Sequence, residues 1–126
     1  MTGLAGTSLS PDESALLMRF AAVLGEGLGP AMHAVWLFGS RARGEPAHGE
    51  DSDVDVLVLV DDDSWDGKTP VFDALRAAAT ELDLEDLSWS FSLHVHTLEW
   101  LRGRRAIESF FIAEVDRDKI VVAGTA

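Results

Sequence analysis

The sequence feature that most restricts the possible folds of this chain is a pair of short apolar runs separated by a polar loop. The first run, HAVWLF, covers residues 33–38 and stops at Gly39, and the second, VDVLVLV, covers residues 54–60 and is rich in valine. Runs of this length and composition are typical of buried β-strands. We therefore expect a small sheet at the centre of the protein, with amphipathic segments packed around it.

The segment before the first strand predicts a helix. Ser10 and Glu13 have the spacing of a capping box, with a proline at the first helical position between them. Apolar residues then recur at helical spacing as far as the glycine-rich stretch 25–30, which is expected to end the helix. Residues 1–9 are small and polar, so they are expected to form a flexible N-terminus before a single domain at 10–126.

The segments after the second strand predict further helices and strands. LSWSFSLHVH, residues 87–96, alternates apolar and polar side chains, which predicts a third strand with Trp89 on its apolar face. The resulting order, α-β-β-α-β-α-α-β, predicts an α+β domain in which helices flank a small mixed sheet. The other expected elements are a loop at 61–68, a helix from Thr69 to about Leu82, a short helix capped by Thr97, a last helix after Gly103 and a closing strand at 119–124.

Composition and charge exclude several classes of function. The absence of cysteine excludes a disulfide framework, a thiolate metal site and a cysteine nucleophile. A net charge of −12 argues against binding of duplex nucleic acid, which needs a basic face, but bound divalent cations can still bring a phosphorylated substrate to an acidic protein. No run approaches the roughly 18 apolar residues of a membrane span. The first residues also do not resemble a signal peptide, so a cytoplasmic location without membrane association is expected.

Gly39 and Ser40 follow the first strand directly, and Asp53 and Asp55 stand where the second begins. Glycine lets a backbone approach a ligand closely, and a turn after a strand exposes N–H groups that bind anions. Both aspartates fall on one face of the strand, together with Leu57. Two ionised carboxylates so close together need a counter-ion, and Mg²⁺ is commonly held by one or two carboxylates plus substrate phosphates. The pattern predicts metal-assisted nucleotidyl transfer, and a solvated strand entrance is the alternative.

These residues also resemble a known family. The stretch FGSRARGEPAHGEDSDVDVLV, residues 38–58, resembles the signature of the small nucleotidyltransferases of the DNA-polymerase-β superfamily, and in particular the minimal nucleotidyltransferase domains that include the antitoxins of HEPN–MNT toxin–antitoxin pairs. The resemblance covers about residues 34–122. It implies a polymerase-β-like core in which Gly39 and Ser40 hold the β- and γ-phosphates and Asp53 and Asp55 hold one or two Mg²⁺ ions.

The resemblance implies a reaction and a partner as well. A nucleoside monophosphate, AMP where the NTP is ATP, would move to a hydroxyl acceptor with release of pyrophosphate. In the antitoxin-like case the acceptor would be a hydroxyl of a HEPN toxin-like partner. The chain is short for a separate acceptor domain, so a partner protein or a homo-oligomer is expected to complete the acceptor site.

The sequence departs from the family pattern in two ways. The loop between Ser40 and Asp53 has twelve residues, and PAHGE at 46–50 looks inserted. Active members also place a third acid on the neighbouring strand, and the third predicted strand has none. Ser92 and His94 on its polar face are candidate substitutes for the acid, and His94 or His96 is the candidate base. The alternative is that both histidines are partly exposed strand residues. The missing acid motivates a second hypothesis, an inactive domain that binds an NTP and docks to a partner.

Basic and aromatic residues add weaker signals. Arg41 and Arg43 follow the Gly-Ser turn, and arginine suits phosphate geometry, so both are candidate phosphate ligands as well as candidate solvated side chains. His94 and His96 alternate in a way that also suits zinc, but no third ligand is evident. Trp65 and Trp100 are expected to pack in the core or at its rim, with base stacking as the alternative. Phe110 and Phe111 are expected in the core, and the alternative is an apolar patch with Trp100 that mediates assembly.

Overall fold

The computed structural model describes residues 3–45 and 53–126. Within this part of the chain, the predicted helices and strands occur in the predicted order, with two additional short helices at Gly39–Ala42 and Glu85–Ser88 and 3₁₀ turns at Gly3–Gly6 and Gly29–Ala31. The elements are α1 (Pro11–Leu28), β1 (Met32–Phe38), α2 (Gly39–Ala42), β2 (Val54–Val60), α3 (Trp65–Leu82), α4 (Glu85–Ser88), β3 (Phe91–Thr97), α5 (Leu98–Ala106), α6 (Phe110–Asp118) and β4 (Ile120–Gly124).

The four strands form one mixed sheet in the order β3-β2-β1-β4. Strand β1 pairs antiparallel with both β2 and β4, whereas β2 and β3 are parallel. The predicted α+β architecture, a small mixed sheet flanked by helices, is therefore confirmed. The register places Phe38 opposite Asp55 on one side of β2 and Ser92 opposite Asp55 on the other. The end of β1 and the starts of β2 and β3 consequently meet at one edge of the sheet.

Each face of the sheet carries its own apolar core, as the period of two residues along β2 requires. The valines of β2 belong to the cluster that includes residues of α1 and α3. Leu57 and Leu59 belong to the second cluster, with residues of α5 and α6: Leu101, Ile112 and Val115. Asp55 shares the face of Leu57, so its half-buried carboxylate lies on the side of the sheet that α5 and α6 cover.

The two long helices begin or end at positions that differ from the prediction. The Ser10–Glu13 capping box is present as predicted, but α1 continues through Gly25 and Gly27 and ends at Leu28, because glycine lowers helix propensity without breaking the helix. Helix α3 begins at Trp65 rather than at Thr69, since the Ser64 side chain accepts a hydrogen bond from the backbone N–H of Gly67. Only residues 61–64 of the predicted loop at 61–68 therefore form a loop, and the rest belongs to α3.

The start of β3 and the positions of several aromatic residues also differ from the prediction. Residues Glu85–Ser88 form a helical turn, and the Ser90 hydroxyl donates to the carbonyl of Leu87 at 2.8 Å, which closes the chain into a turn before the strand. Trp89 is 88% exposed instead of lying on a strand face. Trp65 and Phe110 are exposed as well, so the expectation that they pack in the core is wrong.

Some expectations fall outside the described residues. The PAHGE segment and the first two residues of the predicted flexible N-terminus lie there. Within the described part of that N-terminus, Leu4 is buried in the core and the N–H of Ser8 donates to the carbonyl of Arg41, so these two residues are held against the domain. None of the helices in residues 3–45 and 53–126 has the length and hydropathy needed to cross a membrane.

Candidate functional site

Gly39 and Asp55 touch where β1 ends. Gly39 has a φ of +79°, a left-handed conformation that favours glycine. A Cβ atom at this position would lie 2.7 Å from Oδ2 of Asp55, closer than real Cβ atoms come to other atoms. Glycine is therefore needed twice, for its backbone conformation and for the close approach of the carboxylate. The predicted phosphate turn and one of the predicted metal ligands are adjacent.

The two carboxylates carry charge that the described residues do not neutralise. Asp53 is exposed just before β2, and Asp55 is half-buried within it. In the described part of the chain, neither carboxylate lies within 4.0 Å of a lysine or arginine side chain. No group of three or more His, Asp or Glu side chains among the described residues is arranged to hold a metal ion. The pair of carboxylates, Asp53 and Asp55, fits Mg²⁺, which commonly takes only one or two protein carboxylates and completes its coordination shell with phosphates and water.

Ser92 and His94 lie beside Asp55, as predicted for substitutes of a third acid. Parallel pairing sets Ser92 directly opposite Asp55. Nε2 of His94 is 3.3 Å from Oγ of Ser92 and 3.9 Å from Oδ1 of Asp55. The structure thus brings a carboxylate, a hydroxyl and an imidazole together on one face of neighbouring strands.

Ser40 is the second residue of the short helix α2, which begins at Gly39. It is half-buried, and its carbonyl accepts a hydrogen bond from the backbone N–H of Glu45 at 3.0 Å. Ser40 therefore lies next to the glycine that contacts Asp55. This placement is compatible with the predicted phosphate contact, which stays a prediction.

Arg41 is buried, and its contacts do not fit the predicted phosphate role. Only 4% of the residue is exposed, and its guanidinium forms an ion pair with Glu13, which is 7% exposed. The guanidinium also donates to the hydroxyl and the carbonyl of Ser8, at 2.9 and 3.0 Å. Glu13 accepts a further hydrogen bond from the N–H of Ser10 at 2.8 Å. Arg41 consequently ties the turn after β1 to the start of α1.

Arg43 lies at the edge of the site and is partly exposed. It forms ion pairs with Glu45 and with Asp118, the latter at 3.0 Å. The hydrogen bond to Glu45, followed by that to Asp118, raises the pKa of Arg43 above its ordinary value. Arg43 borders a cavity of about 240 Å³ between α2 and α6, whose other lining residues are Phe38, Gly39, Phe111, Glu114, Val115 and Asp118.

The contribution of Asp118 to the stability of the fold is expected to depend on pH. Hydrogen bonds, first from Arg117 and then from Arg43, lower the pKa of Asp118 from 3.8 to about 2. A carboxyl whose pKa is lower in the folded state stabilises the protein above its unfolded pKa, and this contribution is lost as the pH falls toward the folded value.

Asp118→Asn is therefore expected to lower the free energy of unfolding near neutral pH and to do so less and less as the pH falls from 3.8 towards 2. Urea titrations of both proteins at about pH 7 and about pH 3 measure the difference. A difference of the same size at both pH values would contradict the ionic origin of this contribution.

Aromatic rings surround His94 and were not predicted as part of the site. The ring of Phe38 lies 5.3 Å from His94 and 5.6 Å from Phe111, centroid to centroid. His96 stacks on Trp100 at 3.6 Å, and burial lowers the pKa of His96. The rings on β3, α5 and α6 are close in sequence, whereas Phe38 on β1 is far from them. No local pattern connects Phe38 to the other rings, so only the folded chain reveals the whole cluster.

The chain is similar to known proteins in sequence and in fold. A family model described as a nucleotidyltransferase domain matches residues 24–121. One similar solved structure is a toxin–antitoxin crystal structure with AMP-PNP, which is 21% identical, covers 86% of this chain and 73% of that chain, and has a TM-score of 0.51. A crystal structure of a toxin–antitoxin MntA–HpeT mutant with two aspartates changed to glutamate is 19% identical, with the same coverage and a TM-score of 0.50. At these identities the likeness concerns the fold. A search of curated proteins found no match.

Proposed function

Because the chain belongs to the nucleotidyltransferase domain family, we propose that it is a Mg²⁺-dependent nucleotidyltransferase that moves AMP from ATP to a hydroxyl group. The contact between Asp55 and Gly39 carries this proposal, since it places a carboxylate against the turn expected to hold phosphates. In the reaction, the acceptor oxygen bonds to the α-phosphorus while the bond from that phosphorus to the bridging oxygen breaks. Pyrophosphate leaves, and the proton of the acceptor hydroxyl passes to a base.

Different residues at this edge of the sheet would bind the metal ion and the phosphates. Asp53 and Asp55 would hold Mg²⁺, which when bound stabilises the negative charge of the triphosphate during displacement. Gly39 and Ser40 would hold the β- and γ-phosphates through the backbone N–H groups of the turn and the serine hydroxyl. Arg43 remains a proposed phosphate ligand at the rim. Arg41 does not, because its guanidinium is buried against Glu13 and Ser8, whereas Arg43 is exposed although it pairs with Glu45 and Asp118.

We assign the base to His94. Family members that are active use a third carboxylate on the strand that corresponds to β3, and β3 carries Ser92 and His94 instead. Histidine is the residue most often used as a general base. Nε2 of His94 is 3.9 Å from Oδ1 of Asp55, so an acceptor hydroxyl that reaches the metal site would also reach the imidazole.

The acceptor we propose is a hydroxyl of a partner toxin protein, of the HEPN type implied by the sequence resemblance. Both structural neighbours are named as toxin–antitoxin structures, and one contains AMP-PNP. The aspartates changed in the MntA–HpeT mutant are two residues apart, which is the spacing of Asp53 and Asp55. A cytoplasmic location and completion of the acceptor site by a second copy of the chain stay predictions.

A second candidate function rests on the sequence of β3. Because this strand has no carboxylate, the domain would bind an NTP without turnover and act by docking to its partner. The two functions share the nucleotide site and differ only in the transfer step. An experiment that measures binding and transfer separately distinguishes them.

The proposed activity is tested by incubating the protein with Mg²⁺, ATP and a co-purifying partner protein. Label on the α-phosphorus of ATP is expected to appear on the partner, whereas label on the γ-phosphorus is not, because pyrophosphate leaves with it. Chelation of Mg²⁺ is expected to stop the transfer. If Mg²⁺ and ATP raise the melting temperature but no NTP gives transfer, the docking function is correct. If neither binding nor transfer occurs, both proposals fail.

A further inference from the structure

The cavity between α2 and α6 borders the proposed phosphate turn and has an aromatic wall. Gly39, which contacts Asp55, lines it on one side, and Phe38 and Phe111 line it as well. Its volume is about 240 Å³, below the roughly 300–1,000 Å³ of pockets that enclose a whole ligand. A cavity of this size suits part of a nucleotide whose triphosphate lies outside it.

The ring of Phe111 is partly exposed but held by neighbouring rings. It is 38% exposed, whereas a core phenylalanine would be buried. It meets Phe38 edge to face at 5.6 Å and Trp100 edge to face at 6.5 Å, and it lies 6.1 Å from the ring of His94. An aromatic ring that is fixed by its neighbours and still accessible is the kind of surface on which nucleobases stack.

The charges around the cavity separate base from phosphate. Glu114 and Asp118 contribute carboxylates to its lining, and Arg43, which is ion-paired with Asp118 and follows the Gly39–Ser40 turn, contributes a guanidinium. Carboxylates accept hydrogen bonds from the N–H and O–H groups of a nucleoside and repel phosphate oxygens. The triphosphate is therefore expected on the side of Gly39 and Ser40, and the uncharged base on the side of Phe111.

We propose that Phe111 is the stacking platform for the base of the NTP. This inference rests on the proposed function and deepens it, because it assigns a nucleoside subsite next to the phosphate and metal site. It also replaces the expectation from sequence that Phe111 is a core residue. The preceding residue, Phe110, provides a matched control, since it is 78% exposed and does not line the cavity.

The test compares binding of Mg–ATP with binding of Mg–tripolyphosphate, which has the phosphates but no base. Isothermal titration calorimetry is performed on the wild-type protein and on Phe111→Leu, Phe111→Tyr and Phe110→Leu. Phe111→Leu is expected to weaken ATP binding about tenfold and to leave tripolyphosphate binding unchanged, because only the base stacks on the ring. Phe111→Tyr, which keeps an aromatic ring, and Phe110→Leu are expected to bind both ligands like the wild-type protein.

Three other results of the titrations would each contradict the inference for a different reason. Unchanged ATP binding by Phe111→Leu would show that the base does not stack there. Equal loss of ATP and tripolyphosphate binding would show that Phe111 supports the phosphate site rather than a base. If the wild-type protein binds neither ligand, the proposed function itself fails, and the inference fails with it.

Discussion

Asp55→Asn is expected to abolish the thermal stabilisation that Mg–ATP gives the wild-type protein, while the ligand-free variant remains at least as stable as the wild type. In the proposed function this carboxylate would hold Mg²⁺, so its loss would remove the ion and the triphosphate together. Without the ion, however, Asp53 and Asp55 are two like charges near each other and without a lysine or arginine partner among the described residues. Removing one of them relieves repulsion. The substitution therefore changes function and stability in opposite directions.

Differential scanning fluorimetry with and without Mg–ATP measures this effect. At a ligand concentration about a hundred times the dissociation constant, binding stabilises the wild type by about 2.7 kcal/mol, which raises the melting temperature of a domain of this size by roughly 8 °C. Asp55→Asn is expected to show no rise, and to lower the rate of nucleotide transfer by about a hundredfold or more.

Asp63→Asn is the matched control for Asp55→Asn. It removes the same charge just beyond the other end of β2, so it is expected to keep the full Mg–ATP shift. A normal shift in Asp55→Asn would show that this carboxylate does not hold the metal. A ligand-free Asp55→Asn variant that melts several degrees lower would show that the carboxylate stabilises the fold through a contact rather than waiting for a cation.

The sequence predicts well which residues lie together at the proposed metal and phosphate site, because its signals there are local. The alternation in VDVLVLV is enough to place Asp55 on the face of Leu57. A glycine directly after a strand is enough to predict a close approach of backbone and ligand. The pairing of β2 with β3, which sets Ser92 and His94 beside Asp55, has no local signal and is implied only by the family resemblance.

The remaining features depend on contacts between distant segments. Arg41 and Arg43 look alike in sequence, yet one is buried against Glu13, 28 residues away, and the other lies at the rim of a cavity. Phe110 and Phe111 look alike in sequence as well. Only the packing of α6 against β1 and β3 leaves Phe110 exposed and brings the ring of Phe111 against Phe38 and His94. The start of α3 differs from the prediction, because the helix is capped by Ser64 and begins before Thr69.

Glu13→Ala is expected to lower the free energy of unfolding by about 3–5 kcal/mol, because it removes the carboxylate that forms a buried ion pair with the guanidinium of Arg41. Part of the loss also comes from the capping box, since Glu13 accepts the hydrogen bond from the N–H of Ser10. Urea denaturation measures the change. The exposed ion pair between Arg19 and Glu81 is the control, and Glu81→Ala is expected to cost about 1 kcal/mol or less.

Replacing both members of the buried pair separates the cost of breaking the ion pair from the net contribution of the pair to stability. Glu13→Leu with Arg41→Met leaves no buried charge, so the double variant is expected to recover most of the stability that Glu13→Ala loses. Equal losses in both variants would mean that the hydrogen bonds of Glu13 and Arg41 to Ser10 and Ser8 matter more than the charge. Mg–ATP binding by the double variant then indicates whether Arg41 also positions the Gly39–Ser40 turn. Binding like that of the wild type would restrict Arg41 to stability, and weaker binding in an equally stable protein would make it a positioning residue for the phosphates.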